Sequence, residues 1–242
     1  MEYGPYLPNF LYKKVAVFDG DSICAGIIKD GILPWANIIG DRNSMEYYNY
    51  AVGGGTVTAE VYNDAGKPRH WISRTIDLIH SEHENLDYLI LEGGTNDADL
   101  LINSPERFGE LSAGDYSGEY DDTTFTGALE LLFYKAINYY PTAKLGYVIA
   151  HKMGKPEEGY GADYKRRKFF LRIIEVCKKW GVPYIDLWEC APLCSKLKCH
   201  HDPELTKAEN NERGKMYIDS QHLGNAGYRL VSDKIEAFMR QL

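Results

Sequence analysis

The sequence predicts an α/β fold with a mainly parallel sheet of five strands, and three observations carry that expectation. Short apolar runs alternate with helix-length segments along the chain, the pattern of a parallel sheet covered by helices on both faces. The runs are almost continuously apolar, as strands buried on both faces require. Two of them, Val15 to Phe18 and Asp87 to Leu91, break abruptly at the polar turns Asp19-Gly20-Asp21-Ser22 and Glu92-Gly93-Gly94-Thr95-Asn96-Asp97.

In chain order, the first strand is expected over 14–19, and a helix over 22–28 follows Ser22. A second strand over 47–52 stops at Gly53-Gly54-Gly55, and a helix over 68–84 returns the chain to a third strand over 87–92. A helix over 124–139 leads to a fourth strand over 144–150. The helix over 162–180 shows its period best: Phe169, Phe170, Ile173, Ile174, Cys177 and Trp180 form one stripe. Arg166, Lys168, Arg172, Lys178 and Lys179 line the other side, which reads as a solvated face. Gly181 stops that helix before Pro183 and a fifth strand over 183–187. The last helix is expected over 223–240. Crossovers between parallel strands are right-handed.

Residues 1–13 read as an extended arm carrying Pro5, Tyr6, Pro8 and Asn9, ahead of a single domain over 14–242. Three stretches fall outside the alternation and read as insertions, near 98–122, 151–164 and 190–218. The first two are expected at the carboxyl edge of the sheet, where loops shape access to a ligand. Phe108, Tyr116 and Tyr120 are then placed to stack on sugar rings or to line an acyl slot, unless the loop touches nothing.

Composition narrows the classes. Hydrophobic residues make up 44% of the 242, and charged ones 26%, an ordinary globular balance. A net charge of −8 argues against non-specific nucleic-acid binding. No apolar run approaches the length of a membrane span. Met1 to Lys14 lacks a basic region followed by an apolar core, so no signal peptide is expected. A cytoplasmic location, or excision from a larger protein, follows as the expectation.

The five cysteines do not make an even disulfide set. Cys24 and Cys177 lie in apolar helical contexts and read as small hydrophobes. Cys190, Cys194 and Cys199 precede His200 and His201, which leaves a structural zinc, a disulfide or free loop thiols open. The gaps lack a close pair of thiols two residues apart, and free thiols are the expectation.

Ser22 stands where a buried strand stops, at the carboxyl edge where open α/β folds place their ligands. Alone, an Asp-Ser pair is an ordinary helix cap. The later chain adds what a nucleophilic hydroxyl needs, a base and a carboxylate to orient it. His222 and Asp219, three residues apart, fit one turn, with the carboxylate on Nδ1 and Nε2 left to face Ser22.

Gly20-Asp21-Ser22 with Ile23-Cys24-Ala25-Gly26, then Asn49 to Thr56 with Gly54, then Gly94-Thr95-Asn96-Asp97, then Asp219 to His222 make four blocks in order. Together they resemble the SGNH, or GDSL-like, hydrolase superfamily across nearly the whole chain. The resemblance implies a flavodoxin-like three-layer α/β/α sandwich and catalytic Ser22, Asp219 and His222. It also implies an oxyanion hole from the backbone N–H of Ser22 and Gly54 and the amide of Asn96. No cofactor or metal is implied.

The expected activity is serine ester hydrolysis through an acyl-enzyme, on short acyl groups such as acetyl on a carbohydrate or similar polar ester. A lipase, lysophospholipase, thioesterase or acyltransferase with the same triad is the alternative, and a non-catalytic glycan-binding module is a more distant one. The expected partner is a small-molecule or glycan ester.

Overall fold

In the computed structural model, which describes residues 9–154 and 164–242, five parallel strands make one sheet in the order β2-β1-β3-β4-β5. They are β1 (Val15–Asp19), β2 (Glu46–Asn49), β3 (Tyr88–Glu92), β4 (Lys144–Ile149) and β5 (Tyr184–Asp186). The register pairs Phe18 with Asn49 on one side and with Ile90 on the other. The fold is therefore the α/β/α sandwich expected from the sequence. Its strand order changes direction at β1 and β3, and a ligand crevice forms between strands that diverge in this way.

Alternate strand residues enter two separate cores, because successive side chains point to opposite faces. Val17, Leu89, Leu91, Tyr147 and Ile149 pack with α3 (Ile72–Glu82), α5 (Phe125–Tyr139) and α6 (Lys165–Trp180). Ala16, Phe18, Tyr88, Ile90 and Val148 pack with α2 (Trp35–Arg42) and α9 (Asn225–Met239). β3 is buried along its whole length, whereas β2, an edge strand, alternates exposed and half-buried residues. Four short helices are additional to those expected from sequence: α2 itself, α4 (Thr95–Leu101), α7 (Leu187–Cys190) and α8 (Lys207–Glu212). The helix that begins at Ser22, α1 (Ser22–Ala25), is shorter than expected.

Two expectations are corrected. The basic side of α6 is a solvated face only in part: Lys168 and Lys178 are exposed, but Arg166, Arg172 and Lys179 are engaged by the rest of the chain. Arg166 is buried and donates to Asp99 and Gln221, and Arg172 donates to the Gly109 carbonyl and to Thr126 Oγ1. Lys179 meets the buried Glu130, with Ser112 Oγ at 2.6 Å and the Asp115 carbonyl at 2.7 Å. The 98–122 stretch lies over part of α6, through Asp99, Gly109, Ser112 and Asp115.

The aromatic residues of that stretch also fail to reach the serine. Phe108 packs between Phe125 and Phe169. Tyr116 and Tyr120 set their rings on Trp180, and both face the Lys179 ammonium. Trp180 ends α6 beside Lys144, the first residue of β4, so this cluster lies at the amino edge of the sheet. The buried Glu130–Lys179 pair explains the placement, since the tyrosine faces add cation–π contact to an ammonium removed from water.

Of the arm, Asn9 ties to α2 and α9 through Asn43 at 3.0 Å and Arg240 at 2.9 Å, and residues 1–8 lie outside the described residues. In the 151–164 stretch, 155–163 lie outside them as well. No described helix is long and apolar enough to cross a membrane.

Candidate active site

Ser22 reaches its position because Asp21, not Ser22, caps α1. The Asp21 carboxylate accepts the Ile23 N–H at 2.8 Å, which leaves the serine hydroxyl uncommitted to the backbone. Ser22 Oγ stands 3.0 Å from His222 Nε2. His222 Nδ1 lies 2.9 Å from Asp219 Oδ2 and 3.2 Å from Oδ1. The loop 219–222 is folded by the same carboxylate, which accepts the backbone N–H groups of Gln221 at 2.8 Å and His222 at 2.6 Å. Arg166, reaching over from α6, holds Gln221 Oε1 at 2.9 Å.

Burial pushes the Asp219 carboxyl up, but hydrogen bonds and charge from His222, with Lys207 at 2.6 Å, outweigh that and hold it well below the usual carboxylate range. It stays ionised and fixes His222 with the proton on Nδ1. Nε2 is then an acceptor for the Ser22 hydroxyl. A hydroxyl, an imidazole and a carboxylate in this chain can generate a nucleophile and shuttle its proton.

The second and third blocks close around the serine. A Cβ placed on Gly53 would lie 3.9 Å from Ser22 Cβ, so this turn passes beside the serine. Gly54 follows with φ 82°, a left-handed conformation that favours glycine. Its carbonyl accepts from Arg69 Nη1 at 2.9 Å. Asn96, at the start of α4, donates from Nδ2 to the Gly55 carbonyl at 2.8 Å and lies 3.3 Å from Asp21 Oδ2. The structure thus brings Ser22, His222, Asp219, Gly54 and Asn96 to one place.

Beneath them lies a set of buried acids that sequence reasoning left without a role. Glu92 Oε2 accepts the Asp21 N–H at 3.1 Å, and a Cβ on Gly20 would come within 2.8 Å of it. Burial, with the adjacent Asp21 carboxylate, pushes Glu92 well up, and burial raises Asp21 too. Out of water, like charges this near one another favour the protonated form. Asp19 Oδ1 pairs with His70 Nε2 at 2.8 Å, and Asp97 collects the N–H groups of Val57 and Thr58. The signal for Glu92 and Asp19 was present in the sequence, since an acid closes each of two strands whose other residues are apolar.

Cys24, the thiol nearest the serine, is fully buried, and burial pushes its pKa well up, so it packs rather than reacts. All five cysteines are free thiols. Among the described residues, no three His, Cys, Asp or Glu side chains are grouped to hold a metal ion.

The sequence profile of the GDSL-like Lipase/Acylhydrolase family matches residues 18–230. Among solved structures, a protein from Lactobacillus plantarum is 22% identical at a TM-score of 0.70, over 95% of this chain and 98% of that one. An aryl esterase from M. smegmatis is 14% identical at a TM-score of 0.62, over 95% and 99%. A carbohydrate acetylesterase family member from Sinorhizobium meliloti is 15% identical at 0.59, over 94% and 98%. At these identities the likeness is one of fold. No curated protein matches the chain.

Proposed function

The chain belongs to the GDSL-like lipase/acylhydrolase family and is a carboxylic ester hydrolase, and from that premise we propose that it works through an acyl-enzyme formed on Ser22. The observation that carries this reading is the 3.0 Å approach of Ser22 Oγ to His222 Nε2, with Asp219 on the far side of the ring. Ser22 Oγ attacks the ester carbonyl as His222 takes its proton. His222 returns that proton to the departing alcohol, and Asp219 stabilises the imidazolium meanwhile. Water, deprotonated by His222, then releases the acid and restores the serine.

The negative charge that develops on the carbonyl oxygen falls to three donors: the backbone N–H of Ser22, that of Gly54 and the amide of Asn96. An amide nitrogen carries two hydrogens. Asn96 commits one to Gly55, and the other has only the long approach to Asp21. That second hydrogen is the one offered to the oxyanion, and preorganised donors of this kind act most strongly in the transition state.

The substrate reading is a short acyl group, acetyl foremost, on a polar alcohol such as a carbohydrate. Its support is the fold shared with a carbohydrate acetylesterase family member. The tyrosines of 98–122 give it none, since they pack at the other edge of the sheet. Steady-state hydrolysis of esters of rising acyl length, from acetyl to decanoyl, tests it. A maximum in kcat/KM at acetyl or propionyl is expected, and a maximum at octanoyl or longer overturns the short-acyl reading.

A further inference from the structure

The Gly53-Gly54-Gly55 turn is braced from outside by residues 69–71. His70 contributes its carbonyl to the Thr56 N–H at 2.9 Å, and Arg69 contributes a guanidinium nitrogen to the Gly54 carbonyl at 2.9 Å. A Cβ on Gly54 would stand 2.9 Å from that same nitrogen, so this end of the guanidinium lies against the turn. Gly53, which faces Ser22, is one residue away, a step of about 3.8 Å along the chain.

A carbonyl brace uses one of the five N–H groups of an arginine. The Arg69 Nε–H is shut off from solvent and has no partner. No carboxylate pairs with Arg69 among the described residues, although acidic residues outnumber basic ones in this chain, 35 to 27. Arg42, Arg74, Arg166, Arg167, Arg172 and Arg240 each have one, whereas Arg107, Arg213 and Arg229 share its lack of one among the described residues. Arg69 is also held in place before any ligand arrives. Its backbone N–H donates to the Val61 carbonyl at 3.0 Å, and the neighbouring Trp71 indole reaches the same carbonyl at 2.9 Å. Its half-buried guanidinium lies on the turn that passes Ser22, and the planar Nη1/Nη2 end of the fork matches the two oxygens of a carboxylate.

We propose that Arg69 recognises a carboxylate on the ester substrate, next to the bond that is cleaved. Such a substrate is an acylated sugar acid or hydroxy acid, or an ester whose acyl group carries the charge. The inference rests on the ester-hydrolase reading of this site and deepens it.

The test compares pairs of esters that differ in one negative charge. The first pair is the monoacetates of methyl glucuronoside and methyl glucoside, with the charge on the alcohol. The second is the 4-nitrophenyl esters of succinic acid and butyric acid, with the charge on the acyl group. The wild type is expected to prefer the charged member of at least one pair by roughly 10- to 100-fold in kcat/KM, the scale of a hydrogen bond to a charged group. Arg69→Met is expected to abolish that preference, and Arg69→Lys to restore part of it. Losing the brace on Gly54 lowers both members of a pair alike, so the ratio separates recognition from support. A wild type without preference in either pair, or an Arg69→Met variant that keeps it, overturns the inference. A wild type that hydrolyses none of the four esters overturns the ester-hydrolase reading instead.

Discussion

The Asp97 carboxylate binds Thr58 twice, through the hydroxyl at 2.6 Å and the backbone N–H at 2.9 Å, and both residues are fully buried. Its other oxygen takes the Val57 N–H at 3.0 Å. One acid thus joins the helix that carries Asn96 to the chain leaving the Gly53-Gly54-Gly55 turn. Burial pushes its pKa up, and the Thr58 and Val57 hydrogen bonds oppose that shift.

Asp97→Ala leaves these donors without an acceptor in a dry interior. Each buried unpaired group costs about 1–3 kcal/mol, so a loss of roughly 3–5 kcal/mol in unfolding free energy is expected. Asp97→Asn keeps one acceptor and loses less. Urea unfolding measures both, and an unchanged midpoint in Asp97→Ala shows that the carboxylate does not hold the loop.

Asn96→Ala removes one oxyanion donor and the bond to the Gly55 carbonyl. A fall in kcat of about 10²- to 10³-fold is expected, with a smaller change in KM, because the donor acts on charge that exists only in the transition state. Steady-state kinetics on a short-acyl ester checks it. A change confined to KM assigns Asn96 to substrate positioning.

The parallel sheet and its catalytic turns were legible because both are local in sequence. Continuous apolar runs mark strands such as Val15–Asp19, and Gly20-Asp21-Ser22 and Asp219–His222 each sit within one turn. Tertiary partnership was not legible. Arg166 and Lys179 read as solvated because helical periodicity gives a direction and not what covers it; the covering segment, 98–122, has no period of its own. The same holds for Tyr116 and Tyr120, whose partner Trp180 lies on a distant element. Arg69 joins the site through a contact 15 residues distant, with Gly54, that no motif encodes.

His151, just beyond β4, is fully buried and its Nε2 has no partner. Burial, helped by the charges of His222 and Arg166, pushes its pKa down to about 3. The unfolded chain binds that proton near pH 6.5, so between those values the folded state holds fewer protons and stability falls as pH falls. Linkage gives a loss of about 2 kcal/mol from pH 7 to pH 5 from this group alone. In His151→Phe that part of the pH dependence is expected to vanish, as read from urea midpoints at the two values. An unchanged pH dependence shows that His151 is not its source.

The serine carries the account, and labelling by a fluorophosphonate tests it most directly. Such a probe reacts only with a hydroxyl made nucleophilic by its neighbours. Intact-mass and peptide analysis are expected to show one adduct per chain, on Ser22, with ester hydrolysis lost in proportion. His222→Ala is expected to slow that labelling by orders of magnitude, since it removes the base 3.0 Å from Ser22 Oγ. An adduct on another residue, or labelling of His222→Ala at the wild-type rate, contradicts the arrangement of Ser22, His222 and Asp219 as the catalytic centre.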